Sequence, residues 1–326
     1  MNQKQFQLAV IIINYKTPQL VIDCLVSLLP EIGGVDAKVV VVDNASLDNS
    51  FALIESWVKE YDVADKVDVI ASTENSGFSG GNNIGIQHVK TEYYLLLNSD
   101  TLVRKGAISV LINATKQDKS IGLISPRLEW PDGSPQESCF RFLSPLSELI
   151  FSANSGPITK LLHKFNVPYP VSDKQRYYDW TSFACVLVKS EVFDDIGLMD
   201  DGYFMYFEDV AFAYLAQKAG WKVFNVPEAH VVHLRGGSSP VKSQAKKRKR
   251  LPRYYYESRT RYFYQAYGHS GLLFANILWT LGWCISKIRQ LFSSEYYSIV
   301  VENQWKDIWV NFFKPLQGFI HPSTYK

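Results

Sequence analysis

No two cysteines in this chain stand in a CxxC pair. Cys24, Cys139, Cys185 and Cys284 lie far apart, which fits a reduced, cytoplasmic chain better than a disulfide framework. An excess of one charge is missing too. The 34 Lys and Arg stand against 32 Asp and Glu, net +2, so nothing global directs the chain to nucleic acid. The N-terminus lacks the basic-then-apolar layout of a secretory leader, because the apolar run Leu8–Ile13 is far too short. A cytoplasmic location is the expectation. There is no internal repeat.

What is present is a chain of 326 residues, 47% hydrophobic, enough for one large domain or two small ones. Its charge is unevenly spread. Between Lys242 and Arg261 nine basic residues face only Glu257, a window of +8 that leaves the remainder at −6.

The first hundred residues alternate apolar runs with helical patterns. Leu8–Asn14, Lys38–Val42, Val67–Ala71 and Tyr93–Leu97 read as buried strands. Between them, Pro18 opens a helix whose apolar face is Leu20, Val21, Cys24, Leu25 and Leu28. Phe51–Tyr61 and Gly81–Val89 read as two more helices. Strands apolar on both faces, alternating with helices, predict an α/β domain with a mainly parallel sheet covered on both sides. Ligands of such sheets bind at the C-terminal strand ends, where Asn14, Asp43, Asn75 and Asp100 would gather. Further on, Pro126–Pro135 reads as loop or hairpin and Leu143–Val167 as a mobile helical insertion. Trp180–Lys189 reads as a strand, Val192-Phe193 as the start of a short helix, Glu208–Ala219 as a helix and Trp221–Val226 as a last strand before Pro227. From Arg253 onward an aromatic, helical character takes over. The division expected is a catalytic domain over 1–240 and a basic loop with an apolar helical subdomain over 241–326.

Five groups of residues carry chemistry. Asn98-Ser99-Asp100 ends the fourth strand on an amide and a carboxylate, although the same residues make ordinary turns. Asp43-Asn44-Ala45-Ser46 puts a carboxylate at the second strand's end, while Asp48 reads as a helix N-cap. The run Asn75 to Gly85 is glycine-rich and leads into a helix, as a turn or an anion cradle would. It is neither a P-loop nor a dinucleotide fingerprint. Glu208-Asp209 follows the aromatic run Tyr203–Phe207. Carboxylates there stabilise a helix N-terminus, or one of them serves as a general base with a raised pKa. His233 suits a metal contact beside a candidate metal carboxylate, whereas His230 reads as structural.

Taken in order, these motifs resemble a family 2 glycosyltransferase of the GT-A fold, in its rhamnosyltransferase-like branch. The resemblance rests on Ile11-Ile12-Ile13-Asn14-Tyr15, Val41-Val42-Asp43-Asn44-Ala45-Ser46, the Asn75–Asn83 run and Leu97-Asn98-Ser99-Asp100. It continues in Asp179-Trp180-Thr181-Ser182-Phe183-Ala184, Phe204–Asp209 and Val231-Val232-His233, covering roughly residues 8–240. It implies donor-nucleotide contacts from Asn14, Tyr15, Asp43, Asn75, Gly77, Asn82, Asn98 and Asp100. It further implies Mn²⁺ or Mg²⁺ on Asp100 and His233, an acceptor side at Trp180 and Thr181, and Asp209 as general base supported by Glu208. The implied reaction is an inverting transfer of a sugar, rhamnose among the candidates, from a dTDP- or UDP-linked donor. The implied acceptor is a hydroxyl of a glycan or polyprenyl-linked molecule in surface polysaccharide synthesis. Two departures stand out. Asn98 replaces the first Asp of the Asp-x-Asp motif, removing one anionic partner for the metal. Phe183 stands where Gly is common and is expected to narrow the acceptor-side loop.

Asn98 also gives weight to a catalytically silent sugar-nucleotide or glycan-binding protein, against which Glu208-Asp209 argues. A nucleotidyltransferase would need a basic, glycine-rich loop after the first strand, and Asn14-Tyr15-Lys16-Thr17-Pro18 does not supply one. At the C-terminus, Tyr262–Ser286 contains no Asp, Glu, Lys or Arg. A membrane span interrupted by Asn276, Thr280 and Gly282 is one reading, and a helix lying on the inner face of the membrane or re-entering it is another. Packing against the catalytic domain or a second subunit is the alternative, so a homodimer stays among the expectations. Lys246–Arg250 reads as a solvated loop, a phosphate-lipid contact or a flap over the donor rather than a nuclear signal.

Overall fold

The computed structural model describes residues 6–235, 240–292 and 298–325. It divides into two compact units. The first takes Met1–Cys139, Pro170–Asp201 and Phe212–Ser238; the second takes Phe140–Tyr169, Gly202–Ala211 and Ser239–Lys326. The second unit therefore draws two earlier segments to the C-terminal region, beyond a simple cut at residue 240.

The strands are β1 (Phe6–Asn14), β2 (Ala37–Asp43), β3 (Val67–Ala71), β4 (Thr91–Asn98), β5 (Thr101–Val103), β6 (Ile121–Glu129), β7 (Cys139–Phe140), β8 (Arg176–Tyr178), β9 (Trp180–Thr181), β10 (Cys185–Lys189) and β11 (Lys222–His233). The helices are α1 (Pro18–Leu28), α2 (Ser50–Glu60), α3 (Gly77–His88), α4 (Ala107–Ala114), α5 (Pro145–Ala153), α6 (Gly156–Leu161), α7 (Ser190–Ile196), α8 (Glu208–Lys218), α9 (Val241–Lys246), α10 (Arg253–Phe292) and α11 (Gln304–Asp307).

The first unit is built on one mixed sheet, ordered β3-β2-β1-β4-β10-β6-β11-β5, with β8 added beside β11. β1 pairs in parallel with both β2 and β4, while β10 runs antiparallel to β4. Ile11, Ile12, Val40, Val41, Leu95 and Leu96 have no exposed surface, so both faces of the central strands are dry. Each such side chain contributes roughly 1.5–3 kcal/mol of hydrophobic burial. One face is covered by Val21, Leu25 and Leu28 of α1, Ile54 of α2 and Leu111 of α4. The other is covered by α3, and closely. A methyl on Gly85 would lie 2.4 Å from Ile11 Cγ2, and one on Gly81 3.1 Å from Ile13 Cδ1.

That close approach explains a difference from the sequence expectation. The glycine-rich run is not a loop ahead of the helix, because α3 starts at Gly77. Gly77, Gly81 and Gly85 recur every four residues, the helical repeat, and the last two let the helix lie against β1. Three more differences have local causes. β6 continues through Pro126 to Glu129, where a loop or hairpin was expected. Trp180–Lys189 is two strands, interrupted at Ser182-Phe183-Ala184. β11 does not stop before Pro227 but runs to His233, with an irregularity between Val226 and His230. A bulge is where a sheet tolerates a proline. The Phe183 ring is turned into the core. It is 2% exposed and meets Phe212 edge-on, with ring centroids 6.0 Å apart.

In the second unit α10 is two helices in one, broken at Gly268 (φ 69°, ψ −174°). The Leu143–Val167 insertion is helical as expected, but α5 is packed rather than loose. Arg259 Nη2 donates to Glu148 Oε2 at 2.6 Å and Nη1 to Asn276 Oδ1 at 2.8 Å, all three residues buried. One arginine thus ties α5 to both halves of α10. Two exposed arginines of the basic window are ion-paired to buried acids. Arg250 grips Asp307 with two bonds of 2.8 Å, and Arg253 pairs with Glu257 at 2.8 Å.

Candidate active site

In the first unit the parallel register sets Asn14 beside Asp43 at the C-terminal strand ends. Asn14 Nδ2 donates to Asp43 Oδ2 (2.6 Å) and Ser46 Oγ (3.1 Å). Its Oδ1 accepts from the Thr17 amide (3.2 Å) and hydroxyl (3.4 Å). An amide side chain has two donors and two acceptor sites, so Asn14 is fully committed, and it has no exposed surface. Asp43 accepts from Asn14 and Ser46 Oγ on Oδ2, and from the Ser46 amide (3.0 Å) on Oδ1. One lone-pair site is left, on a side chain that is 4% exposed.

Asn44 does for the next loop what Asn14 does for this one. Its Nδ2 donates to Asn75 Oδ1 (3.0 Å) and the Gly77 carbonyl (2.9 Å), while its Oδ1 accepts from the Ser76 amide and hydroxyl, each at 3.2 Å. Asn75 and Gly77 are therefore held against the β2 end. Gly77 adopts φ 71° there, a conformation that favours glycine. Ala45 and Leu47 also have positive φ, both 54°. Such strain in non-glycine residues persists where surrounding bonds over-determine the backbone. Tyr15 is half-buried, with the Lys16 ammonium 5.3 Å from its ring. Asn82 and Thr181 turn inward, each 1% exposed. Asn82 donates to the Phe78 carbonyl and Thr181 to the Ser138 carbonyl, both at 3.0 Å. Trp180 is half-buried.

A second cluster forms where β5 meets β11. Thr101 pairs with His233, and the Leu234 amide donates to the Asp100 carbonyl at 2.9 Å. This brings His233 Nε2 to 3.4 Å from Asp100 Oδ1. Both side chains are buried, and among the described residues His233 Nδ1 has no partner. Neither the long Nε2–carboxylate distance nor the orphaned nitrogen is what a settled structural histidine shows. A carboxylate and an imidazole in this relation fit a hard divalent cation that takes its other ligands from water and a diphosphate. Asn98 is half-buried at the same strand end. Among the described residues no group of three or more His, Cys, Asp and Glu side chains gathers as a metal cluster. His230 is structural, as expected, bonding Glu129 Oε2 at 2.9 Å while Arg104 holds Oε1 at 2.9 Å.

Gln136, Arg235, Asn44 and Ser46 were not singled out from the sequence as site residues. Gln136 donates to the His233 carbonyl (2.7 Å) and the Glu129 carbonyl (3.1 Å), and accepts from Arg235. Ser46 had a local signal: an Asp three residues before it is within reach of its amide and hydroxyl, both of which donate to Asp43. Gln136 had none, since the partners that tie it to the site, His233 and Arg235, are 97 and 99 residues away in sequence.

The second unit presents the other carboxylates. Tyr206 and Phe207 both have positive φ (71° and 67°) immediately before α8, a rare pairing for aromatic residues. Their rings are held by Tyr255, whose centroid is 5.7 Å from Tyr206 and 5.4 Å from Phe207. The Ser258 hydroxyl donates to the Met205 carbonyl at 3.2 Å. Glu208 and Asp209 follow in the first helical turn. Burial raises the Glu208 carboxyl well above its ordinary value, and the Asp209 charge adds to this. Among the described residues Glu208 Oε2 has no partner. Burial also pushes Asp209 up, to about 7, against the opposing pull of the Val210 amide, which donates to Oδ1 at 2.8 Å. Two adjacent carboxylates at a desolvated helix start therefore hold a proton near neutral pH.

Residues 9–138 match the model of glycosyl transferase family 2. The chain carries a family 2 glycosyltransferase domain. That span contains Asn14, Asp43, Asn75 and Asp100 but ends before Asp209 and His233. The chain is 30% identical over 229 residues to the low-salt glycan biosynthesis hexosyltransferase Agl10 of Haloferax volcanii, covering 69% of this chain and 65% of that protein. It is 29% identical over 196 residues to the N-acetylglucosaminyl-diphospho-decaprenol L-rhamnosyltransferase of Mycobacterium tuberculosis, covering 58% and 60%. The chain thus spans less than two thirds of the length of these relatives. Among solved structures, GalNAc-T7 with UDP, GalNAc and Mn²⁺ superposes with a TM-score of 0.56 at 16% identity, over 90% of this chain and 59% of that one. The mannosyltransferase PcManGT from Pyrobaculum calidifontis, with GDP-Man and Mn²⁺, gives 0.55 at 14%, over 90% and 77%. These two likenesses establish the GT-A fold.

Proposed function

We propose that this chain transfers a sugar from a nucleoside-diphosphate donor to a hydroxyl of a glycan or polyprenyl-linked acceptor, with inversion at the anomeric carbon. The observation that carries the reading is the approach of His233 Nε2 to Asp100 Oδ1 at a strand end of a family 2 domain. The donor is dTDP-rhamnose or a UDP-sugar, in keeping with relatives named rhamnosyltransferase and hexosyltransferase.

Asp43 uses its remaining acceptor site on the donor's base, and Asn14 positions Asp43 rather than touching the nucleotide. Asn44 fixes Asn75 and Gly77 as the adjoining wall. Asp100 and His233 are the residues that would hold Mn²⁺ or Mg²⁺. Such a cation, when bound to the diphosphate, offsets the charge that develops on the departing nucleoside diphosphate. Asp209 accepts the proton of the acceptor hydroxyl as its oxygen bonds to the anomeric carbon and the carbon–diphosphate oxygen bond breaks. Glu208, whose carboxyl burial raises well above its ordinary value, supports Asp209 from the adjoining position. Trp180 forms the acceptor side, with Thr181 anchoring its strand from behind. With such an acceptor the enzyme works at the cytoplasmic face of a membrane.

The test is Asp209→Asn assayed with a panel of nucleotide sugars. Loss of transfer with donor binding intact supports the assignment, and an active variant overturns it.

A further inference from the structure

The second half of α10 has two apolar faces rather than one. Leu272, Ala275, Asn276, Trp279, Gly282 and Ser286 have no exposed surface or are buried, spaced three and four apart on a single face. A methyl on Gly282 would collide with Ser152 and with the α5 backbone at Leu149 and Ala153, so this face lies directly on α5. The opposite face, at about 100° per residue, carries Phe274, Ile277, Leu281, Ile288 and Leu291. These are 57, 46, 50, 54 and 81% exposed. By length and composition α10 could cross a bilayer. With one face occupied by α5 and by the Asn276–Arg259 bond, it is shaped to lie on a surface instead.

The exposed stripe has aromatic and basic company. Trp305 of α11 stacks on Trp283 of α10, with centroids 6.3 Å apart and planes within 9° of parallel. Trp305, Trp309 and Phe313 recur every four residues and are 46, 40 and 89% exposed, interleaved with exposed Lys306 and Lys314. Tryptophan beside lysine is the composition of a bilayer interface.

Charge decides between occupants. The second unit holds 17 Lys and Arg against 7 Asp and Glu, net +10, while the first unit is net −8. Three of those seven acids are already paired, Glu148 with Arg259, Glu257 with Arg253 and Asp307 with Arg250. Lys242, Lys246, Lys247 and Lys249 are exposed. A second copy would set this cationic surface against itself, whereas an anionic bilayer satisfies the lysines and the apolar stripe together.

We propose that the second unit docks peripherally on anionic phospholipid bilayers through the Phe274–Leu291 stripe, with Trp305, Trp309 and Phe313 at the interface. This stands independently of the transfer chemistry. The experiment is flotation of the whole chain with phosphatidylglycerol-containing or pure phosphatidylcholine vesicles, without donor or metal. Binding to the anionic vesicles is expected, weakening as salt is raised. Leu281→Asp and Ile277→Asp should each reduce it about tenfold or more. Lys246→Glu with Lys247→Glu should weaken only the anionic binding. Trp309→Ser with Phe313→Ser provides a second variant pair outside α10, and unchanged thermal melting identifies the variants that fold. Two results overturn the proposal: no vesicle binding by the folded wild type, or a wild-type dimer that Leu281→Asp converts to monomer without affecting vesicles. Transfer to a water-soluble acceptor separates the two readings. Its absence in a wild type that floats counts against the transferase, and its persistence in stripe variants that no longer float supports docking.

Discussion

Asp43 and Asp209 are carboxylates of one chain in opposite circumstances. Asp43 is buried but receives three hydrogen bonds, from Asn14, the Ser46 hydroxyl and the Ser46 amide. Asp209 receives one from the neighbouring Val210 amide, and burial lifts it to about 7. Burying a carboxylate is tolerated when fixed donors replace water. Where they are few, the group takes up a proton instead. The first arrangement suits a rigid wall for a ligand, and the second a group that must gain and lose a proton. The strained Tyr206-Phe207 backbone and the orphaned Glu208 Oε2 belong with the second, since stored strain gathers at working sites.

The contrast can be broken from either side. Asp209→Asn should lower transfer by about 10³-fold, within the range of lost general-base catalysis, with donor affinity changed by less than about twofold in a thermal-shift titration. Asp100→Ala should lower transfer about 100-fold and also abolish any Mn²⁺-dependence of donor binding, measured by titration with and without the ion. Asn14→Ala leaves transfer chemistry untouched in kind but strips Asp43 of a buried donor. It should cost about 2–3 kcal/mol in urea unfolding at neutral pH. The smallest effect is a matter of sign. A carboxyl whose folded pKa is raised binds its proton more tightly in the folded state. Stability therefore falls as pH rises from the unfolded carboxylate range through about 7 and stays lower above it. Asp209→Asn should then stabilise the protein by on the order of 1–2 kcal/mol at about pH 8 and by almost nothing at about pH 4. A stability difference between wild type and this variant that is the same at both pH values would remove the contrast.

The sheet was legible because its strands are continuous apolar runs stopping at polar residues. Ile11-Ile12-Ile13-Asn14 and Leu95-Leu96-Leu97-Asn98 end in the structure where their composition changes. The glycine run from Gly77 was misplaced as a loop, since low side-chain content looks the same in a turn and in a helix pressed against a sheet. The extension of β11 past Pro227 was hidden by a residue that ordinarily ends strands and here sits in an irregular stretch. Phe183 was judged by its place in a motif, but its ring packs with Phe212. The pairing of Asp100 with His233 could be anticipated only from the order of motifs, because β5 and β11 are far apart in sequence. Gln136, which fixes the His233 backbone, left no local trace. Side chains whose partners are distant in sequence are the ones composition and spacing do not reveal.

The division of labour between the two carboxylates is tested most directly by following transfer and donor binding across pH on one preparation. The account predicts that transfer rises with an apparent pKa near 7, the value set by burial of Asp209, while donor affinity stays flat over the same range. Donor affinity that titrates together with transfer, or transfer that is flat in pH, would contradict it.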